Sequence, residues 1–211
     1  MAGNSLQQNS MEYALLRFSK ELRLRKIEHF VFFGTLLGLT RDGKPIANDD
    51  DVDFYVNKNN YACVREILET FGLKINYSEW PNQTNHFIQA SGVLENIEIR
   101  VDFYFFDCDS DEGFLLEKWN FSAQPENQKL LLKIPKPLIY PIISKTFLGK
   151  NICVPKHSEI ICEFLYGVDW KIPKTKGVDY KVAMIGGRPL RIFGNSIIKS
   201  ITRYFLKKFV N

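Results

Sequence analysis

The chain has 211 residues, enough for one domain with a sizeable core, or for one domain and a small appendage. Apolar residues at 45% and charged residues at 25% exclude the disordered, collagenous and membrane classes. Twenty-eight Lys and Arg against 24 Asp and Glu leave a formal net charge of +4, too small to imply a nucleic-acid partner unless the charges cluster.

The opening MAGNSLQQNSMEYALLRF lacks the charged start and continuous apolar run of a secretory signal, and no stretch reaches the roughly 20 apolar residues of a membrane span. Cys63, Cys108, Cys153 and Cys162 form no Cys-x-x-Cys pair and show no zinc spacing with His29, His86 or His157, which suits a reducing compartment. A cytoplasmic protein is expected.

From Met11 to Lys26 the apolar residues Tyr13, Leu15, Leu16, Phe18, Leu22 and Leu24 predict an amphipathic helix. His29 to Phe33 reads as a buried strand, broken by Gly34-Thr35. Leu36 to Thr40 follows as a single helical turn and Arg41 to Pro45 as a loop. Val52 to Val56 alternates as a strand, and Asn59 can cap a helix through about Phe71. Further strands are predicted at Lys74 to Tyr77, His86 to Ala90 and Ile97 to Phe106. The last of these is rich in aromatic and β-branched residues suited to a sheet centre. Gly113 to Phe121 reads as a hairpin arm, Ile134 to Pro141 as an extended connection, Ile152 to Val154 as a short strand and Lys156 to Tyr166 as a helix. The pattern predicts an α/β (α+β) fold with a mixed central sheet flanked by helices. In the tail, Ile197, Ile198, Ile201, Phe205 and Phe209 fall at helical spacing; from Arg188 onward Arg188, Arg191, Lys199, Arg203, Lys207 and Lys208 stand with no acid. We divide the chain into a catalytic domain over 1–180 and a basic amphipathic helical tail over 181–211.

The chemistry concentrates in Phe33-Gly34-Thr35-Leu36-Leu37-Gly38, followed thirteen residues later by Asp51-Val52-Asp53. A glycine turn beside a hydroxyl lets backbone N–H groups approach phosphate oxygens, and carboxylates at i and i+2 of a strand share one face. Two such acids repel each other unless a cation lies between them, and oxygen-only ligands favour magnesium or manganese over zinc. Asp102, isolated among the apolar residues of its strand, is the expected third ligand. Glycines mostly serve turns and acidic runs mostly cap or solvate loops, so it is the joint occurrence at this spacing that points to a metal–phosphate site.

These residues resemble the LicD/fukutin group of phosphotransferases in the nucleotidyltransferase superfamily. That family shows G-T-L-L-G, an arginine, then a segment like I-P-W-D-D-D-I-D. Here Gly34-Thr35-Leu36-Leu37-Gly38-Leu39-Thr40-Arg41 is followed by Ile46-Ala47-Asn48-Asp49-Asp50-Asp51-Val52-Asp53, with Ala47-Asn48 in place of Pro-Trp. Val101-Asp102-Phe103 is similar to its later acidic strand, and Val154-Pro155-Lys156 with Phe164-Leu165-Tyr166-Gly167 to its late proline-started helix. The resemblance implies a nucleotidyltransferase fold and transfer of a substituted phosphate, phosphocholine or a polyol phosphate, from a CDP-linked donor to a hydroxyl of a glycan acceptor in cell-surface polysaccharide modification. It implies that Asp51, Asp53 and Asp102 hold magnesium against the donor diphosphate, with Asp102 or Asp49 accepting the hydroxyl proton. Gly34, Thr35, Arg41 and Asp49 are the implied donor-binding residues.

Two alternatives stay open: an ordinary nucleotidyltransferase that releases pyrophosphate, and a non-catalytic subunit of a glycan-modifying complex. Arg41 suits phosphate by its planar fork, though an arginine in a loop is more often a surface charge. His86 reads as a core histidine, and no choice among Trp80, Trp119 and Tyr166 as stacking residues is justified by sequence. The basic tail reads either as a helix packed on the domain or as a peripheral contact with anionic lipid or an acidic polysaccharide.

Overall fold

A computed structural model describes residues 8–47, 49–77, 86–108, 113–117, 132–173, 184–185 and 188–189. Asn48, Trp80, Trp119, the outer part of the predicted arm to Phe121 and the predicted helix over 194–211 lie outside the described residues.

The first helix, α1 (Gln8–Leu24), buries Met11, Ala14, Leu15, Phe18 and Leu22, an apolar stripe at three- and four-residue spacing. The central sheet runs β1 (His29–Val31), β2 (Val52–Asn57), β5 (Ile97–Asp107), β4 (Phe87–Leu94), β3 (Lys74–Tyr77). β2 and β5 are parallel; the β1–β2, β4–β5 and β3–β4 pairs are antiparallel. β6 (Phe114–Glu117) extends the ladder at the end of β5, and β7 (Leu132–Pro135) pairs with β6. The sheet is therefore mixed, with β5 at its centre as its composition predicts.

Strand alternation gives the sheet two unlike faces. Phe54, Phe103 and Phe105 point to one side, where Phe18 of α1 packs on Phe54 and Phe103, and Tyr61 of α3 (Tyr61–Thr70) packs on Phe105. Asp53, Tyr55, Asp102 and Tyr104 point to the other. There Phe33, the first residue of α2 (Phe33–Arg41), meets Tyr55 and Tyr104. α2 in turn packs on α5 (Ser158–Tyr166). A hairpin of β8 (Ile143–Phe147) and β9 (Lys150–Val154) leans on α1 and β1, and Lys145 Nζ donates to the Leu39 carbonyl at 2.8 Å.

Several local expectations give way. Gly34-Thr35 does not break the chain: both lie in the first turn of α2, which runs through Arg41, so the loop starts at Asp42. β1 ends at Val31. Asn57, not Asn59, caps the next turn, its side chain accepting from the Asn59 N–H, and α3 starts at Tyr61. The stretch expected to be extended from Ile134 closes into a helical turn, α4 (Lys136–Ile139), whose first turn contains Pro137, a position where the missing N–H costs nothing. β8 was not expected at all: four of its five residues are exposed, so no apolar alternation marks it. Met184–Ile185 and Arg188–Pro189 form a short antiparallel ladder, β10 and β11, at the start of the stretch assigned to the tail.

Candidate active site

The site is built where α2 begins against the first residues of β2. Asp53 and Asp102 face each other directly across the parallel β2–β5 ladder, so both carboxylates emerge on one face. Asp51, two residues before Asp53, joins them, and carboxylate oxygens of all three lie within 4.8 Å of one another. Asp53 and Asp102 are only 6% and 4% exposed. Asp49, Asp50 and Asp51 form a second, overlapping acidic group at the partly exposed rim.

Thr35 fixes Asp53 from the helix. Its Oγ1 accepts from the Asp53 backbone N–H at 2.8 Å, and its own N–H donates to Asp53 Oδ2 at 3.4 Å. The Phe32 N–H donates to the Asp53 carbonyl at 3.2 Å, which ties the entry of α2 to the same residue. The start of α2 is strained: Phe33 has φ 41°, a left-handed value that costs a bulky residue about 1–3 kcal/mol. Ring contacts with Phe32, Tyr55 and Tyr104 hold it there. Gly34 is required by proximity, because a Cβ at that position would lie 2.9 Å from Asp49 Oδ2 and 3.4 Å from Asp53 Oδ2. Gly38 serves the loop beyond: a Cβ there would meet the Lys44 carbonyl at 2.7 Å and the Ile46 nitrogen at 2.8 Å.

From the other side, Gln89 of β4 stands opposite Asp102, and its Nε2 donates to Asp102 Oδ2 at 3.3 Å. Asp102 Oδ1 is buried without a hydrogen-bond partner among the described residues. Burial pushes the Asp102 carboxyl up to about 7; the Gln89 amide works against that rise, the Asp50 charge adds to it and the Tyr104 hydroxyl again opposes it. Asp53 is also raised well above the usual carboxylate range, first by burial and then by the charges of Asp51, Asp102 and Asp49, while the Thr35 N–H opposes the rise. Burial and mutual repulsion favour the protonated forms of such carboxyls; a divalent cation among them would relieve the repulsion and give Asp102 Oδ1 a partner.

Of the residues predicted for the site, Gly34, Thr35, Asp49, Asp51, Asp53 and Asp102 come together. Arg41 does not join them. It ends α2, six residues and about 9 Å of helix axis beyond Thr35, where its Nε and Nη2 bind both carboxylate oxygens of Asp42 at 2.7–3.1 Å. Two side chains beside the acids, Gln89 and Arg100, are not singled out by the sequence. Arg100 could have been found by strand periodicity, since it lies two residues before Asp102; Gln89 required the β4–β5 register.

The LicD/FKTN/FKRP nucleotidyltransferase-domain model matches residues 26–157, well over half of the chain. The chain belongs to this family. The LicD/FKTN/FKRP match contains Gly34, Thr35 and all five site aspartates. At the level of sequence, no curated protein matches the chain. Among solved structures it is similar to the lincosamide antibiotic adenylyltransferase LnuA in its lincomycin-bound form, with TM-score 0.52 and 16% identity over 83% of this chain and 93% of that one. It is also similar to the antibiotic-resistance factor ANT(2'')-Ia in its solution structure, with TM-score 0.50 and 14% identity over 94% and 93%. At such identities the likeness shows the nucleotidyltransferase fold, and the family makes this protein a transferase. No helix among the described residues is long and apolar enough to cross a membrane.

Proposed function

We propose that this member of the LicD/FKTN/FKRP family transfers a substituted phosphate from a CDP-linked donor to a hydroxyl of a glycan acceptor, releasing CMP. The observation that carries the reading is the buried Asp53–Asp102 pair across β2 and β5 with Asp51 beside it and Asp102 Oδ1 left without a partner. Three carboxylates and no sulfur or imidazole fit magnesium or manganese, and Asp51, Asp53 and Asp102 would hold the ion. Bound there, a divalent cation supplies neutralisation of the charge that gathers on the departing CMP.

The remaining work falls to the chain itself. Gly34, with no Cβ, lets the Asp49 and Asp53 carboxylates lie against the start of α2, and the positive end of that helix favours the negative charge gathered there. Thr35 locks the Asp53 backbone so that its carboxylate cannot turn away from Asp102. Asp49, outside the buried trio and against Gly34, would accept the proton of the attacking hydroxyl. That oxygen forms a bond to the distal phosphorus, and the bond from this phosphorus to the CMP oxygen breaks. The acceptor, a glycan, and any lipid contact through the basic residues after Arg188 belong to the same proposal.

A thermal-shift screen with magnesium tests it, using CDP-choline, CDP-ribitol, CDP-glycerol and nucleoside triphosphates on the wild type, Asp51→Ala and Asp53→Ala. A ligand that binds only the native state raises the melting temperature. One CDP-alcohol should do so with magnesium, in the wild type alone, and then release CMP in a turnover assay. Pyrophosphate released from a triphosphate would instead establish nucleotidyl transfer, the chemistry named for LnuA. Absence of any metal-dependent response would make the protein a binding subunit.

A further inference from the structure

We propose that Arg100 is the residue that grips the diphosphate of the donor, the role that sequence alone suggested for Arg41. The inference rests on the reading of the acidic cluster as a metal–diphosphate site. Five aspartates, Asp49, Asp50, Asp51, Asp53 and Asp102, gather there. A diphosphate brings further negative charge, more than one divalent cation offsets, so the site needs a cationic side chain.

Arg41 is committed elsewhere, in its two-pronged pairing with Asp42 at the far end of α2. The sheet delivers Arg100 instead. It lies on β5 two residues before Asp102, so strand alternation puts both side chains on one face. Its Nη1 lies 3.9 Å from Asp50 Oδ2 and its Nη2 3.6 Å from Glu98 Oε1, both too long for hydrogen bonds. The guanidinium is thus held at the rim by charge, while its N–H groups keep their capacity for shorter bonds. Its side chain is 28% exposed, against 11% for Arg41, so an incoming anion can reach it. A planar fork with paired donors suits adjacent phosphate oxygens better than an ammonium does.

Calorimetric titration of wild type, Arg100→Gln and Arg100→Lys with cytidine monophosphate, cytidine diphosphate and inorganic pyrophosphate, each with magnesium, tests this. Manganese binding without nucleotide serves as the control for an intact fold and site. In Arg100→Gln the gain in affinity from monophosphate to diphosphate should shrink about tenfold, the loss expected for one charge-assisted pair, with Arg100→Lys in between and manganese still bound. An unchanged gain in Arg100→Gln, with Asp51→Ala abolishing diphosphate binding, would overturn the role of Arg100 and leave the metal-site reading standing. Equal loss for monophosphate and diphosphate, or loss of manganese binding, would reduce Arg100 to a structural counter-charge. A wild type without magnesium-dependent affinity for diphosphate or pyrophosphate would overturn both readings.

Discussion

Successive rungs of the β2–β5 ladder do opposite things. At Phe54–Phe103 and Tyr55–Tyr104 the rings stack at centroid distances of 5.6 and 5.8 Å, and each such pair adds about 0.5–1.5 kcal/mol beyond its buried area. One step earlier, Asp53 faces Asp102 in the same register, where like charges directly opposite destabilise a sheet. The aromatic rungs and Phe18 of α1 hold the strands in place, and the acid rung uses that rigidity to keep two carboxylates where they would not stay unaided. On the proposed function, stability and metal binding are divided residue by residue along one strand pair.

The division can be broken from either side. Asp53→Ala should reduce transfer at least about a thousandfold, because several kcal/mol of charge stabilisation depends on the ligand set. Asp53→Asn should do the same to turnover while raising the melting temperature of the metal-free protein, since a repelling charge is gone; calorimetry without metal measures this. Phe103→Ala should cost about 3–5 kcal/mol in urea denaturation, yet the folded fraction should still bind manganese.

Gly34→Ala sharpens the contrast. Alanine gains about 1 kcal/mol of helix propensity over glycine, which offsets the cost of a Cβ 2.9 Å from Asp49 Oδ2, so stability should change little while the site is disturbed. Transfer should fall about tenfold or more, read as kcat/KM against an unchanged denaturation midpoint.

A further effect is on pH. Asp53 and Asp102 have carboxyls raised in the folded state, Asp102 from 3.8 to about 7. Between those values the folded chain holds protons that the unfolded chain has lost, so stability without metal should fall as pH rises above 4 and through 7. Magnesium should raise the melting temperature more at pH 8 than at pH 5, because it competes with those protons. Asp102→Asn should flatten the slope; a slope unchanged in that variant would place the titrating groups elsewhere.

Much of this was legible in the sequence. The stripe of α1, the alternation of β2 and the aromatic run of β5 each carry a strong local signal, and the trio Asp51, Asp53 and Asp102 follows from period two plus one isolated acid. α2 was misread because Gly34 and Thr35 are poor helix formers by propensity. The fold places them there for tertiary reasons, Gly34 for the approach of Asp49 and Thr35 for its two bonds with Asp53. Continuing the helix through them is what carries Arg41 away from the acids. Gln89 was hidden in register: the turn at Glu95-Asn96, with φ 51° and 66°, sets Leu94 opposite Ile97 and hence Gln89 opposite Asp102. β8 is bent back by Leu148-Gly149, with φ 47° and 71°, a primed turn without the asparagine that would announce it.

The proposed function requires that Asp51, Asp53 and Asp102 together bind a divalent cation. Titration of manganese followed by the loss of its free-ion paramagnetic resonance signal, on wild type, Asp53→Asn and Asp102→Asn, tests it most directly. The wild type should bind manganese tightly, and both folded variants should lose that binding. Wild-type manganese binding retained in both would contradict that requirement.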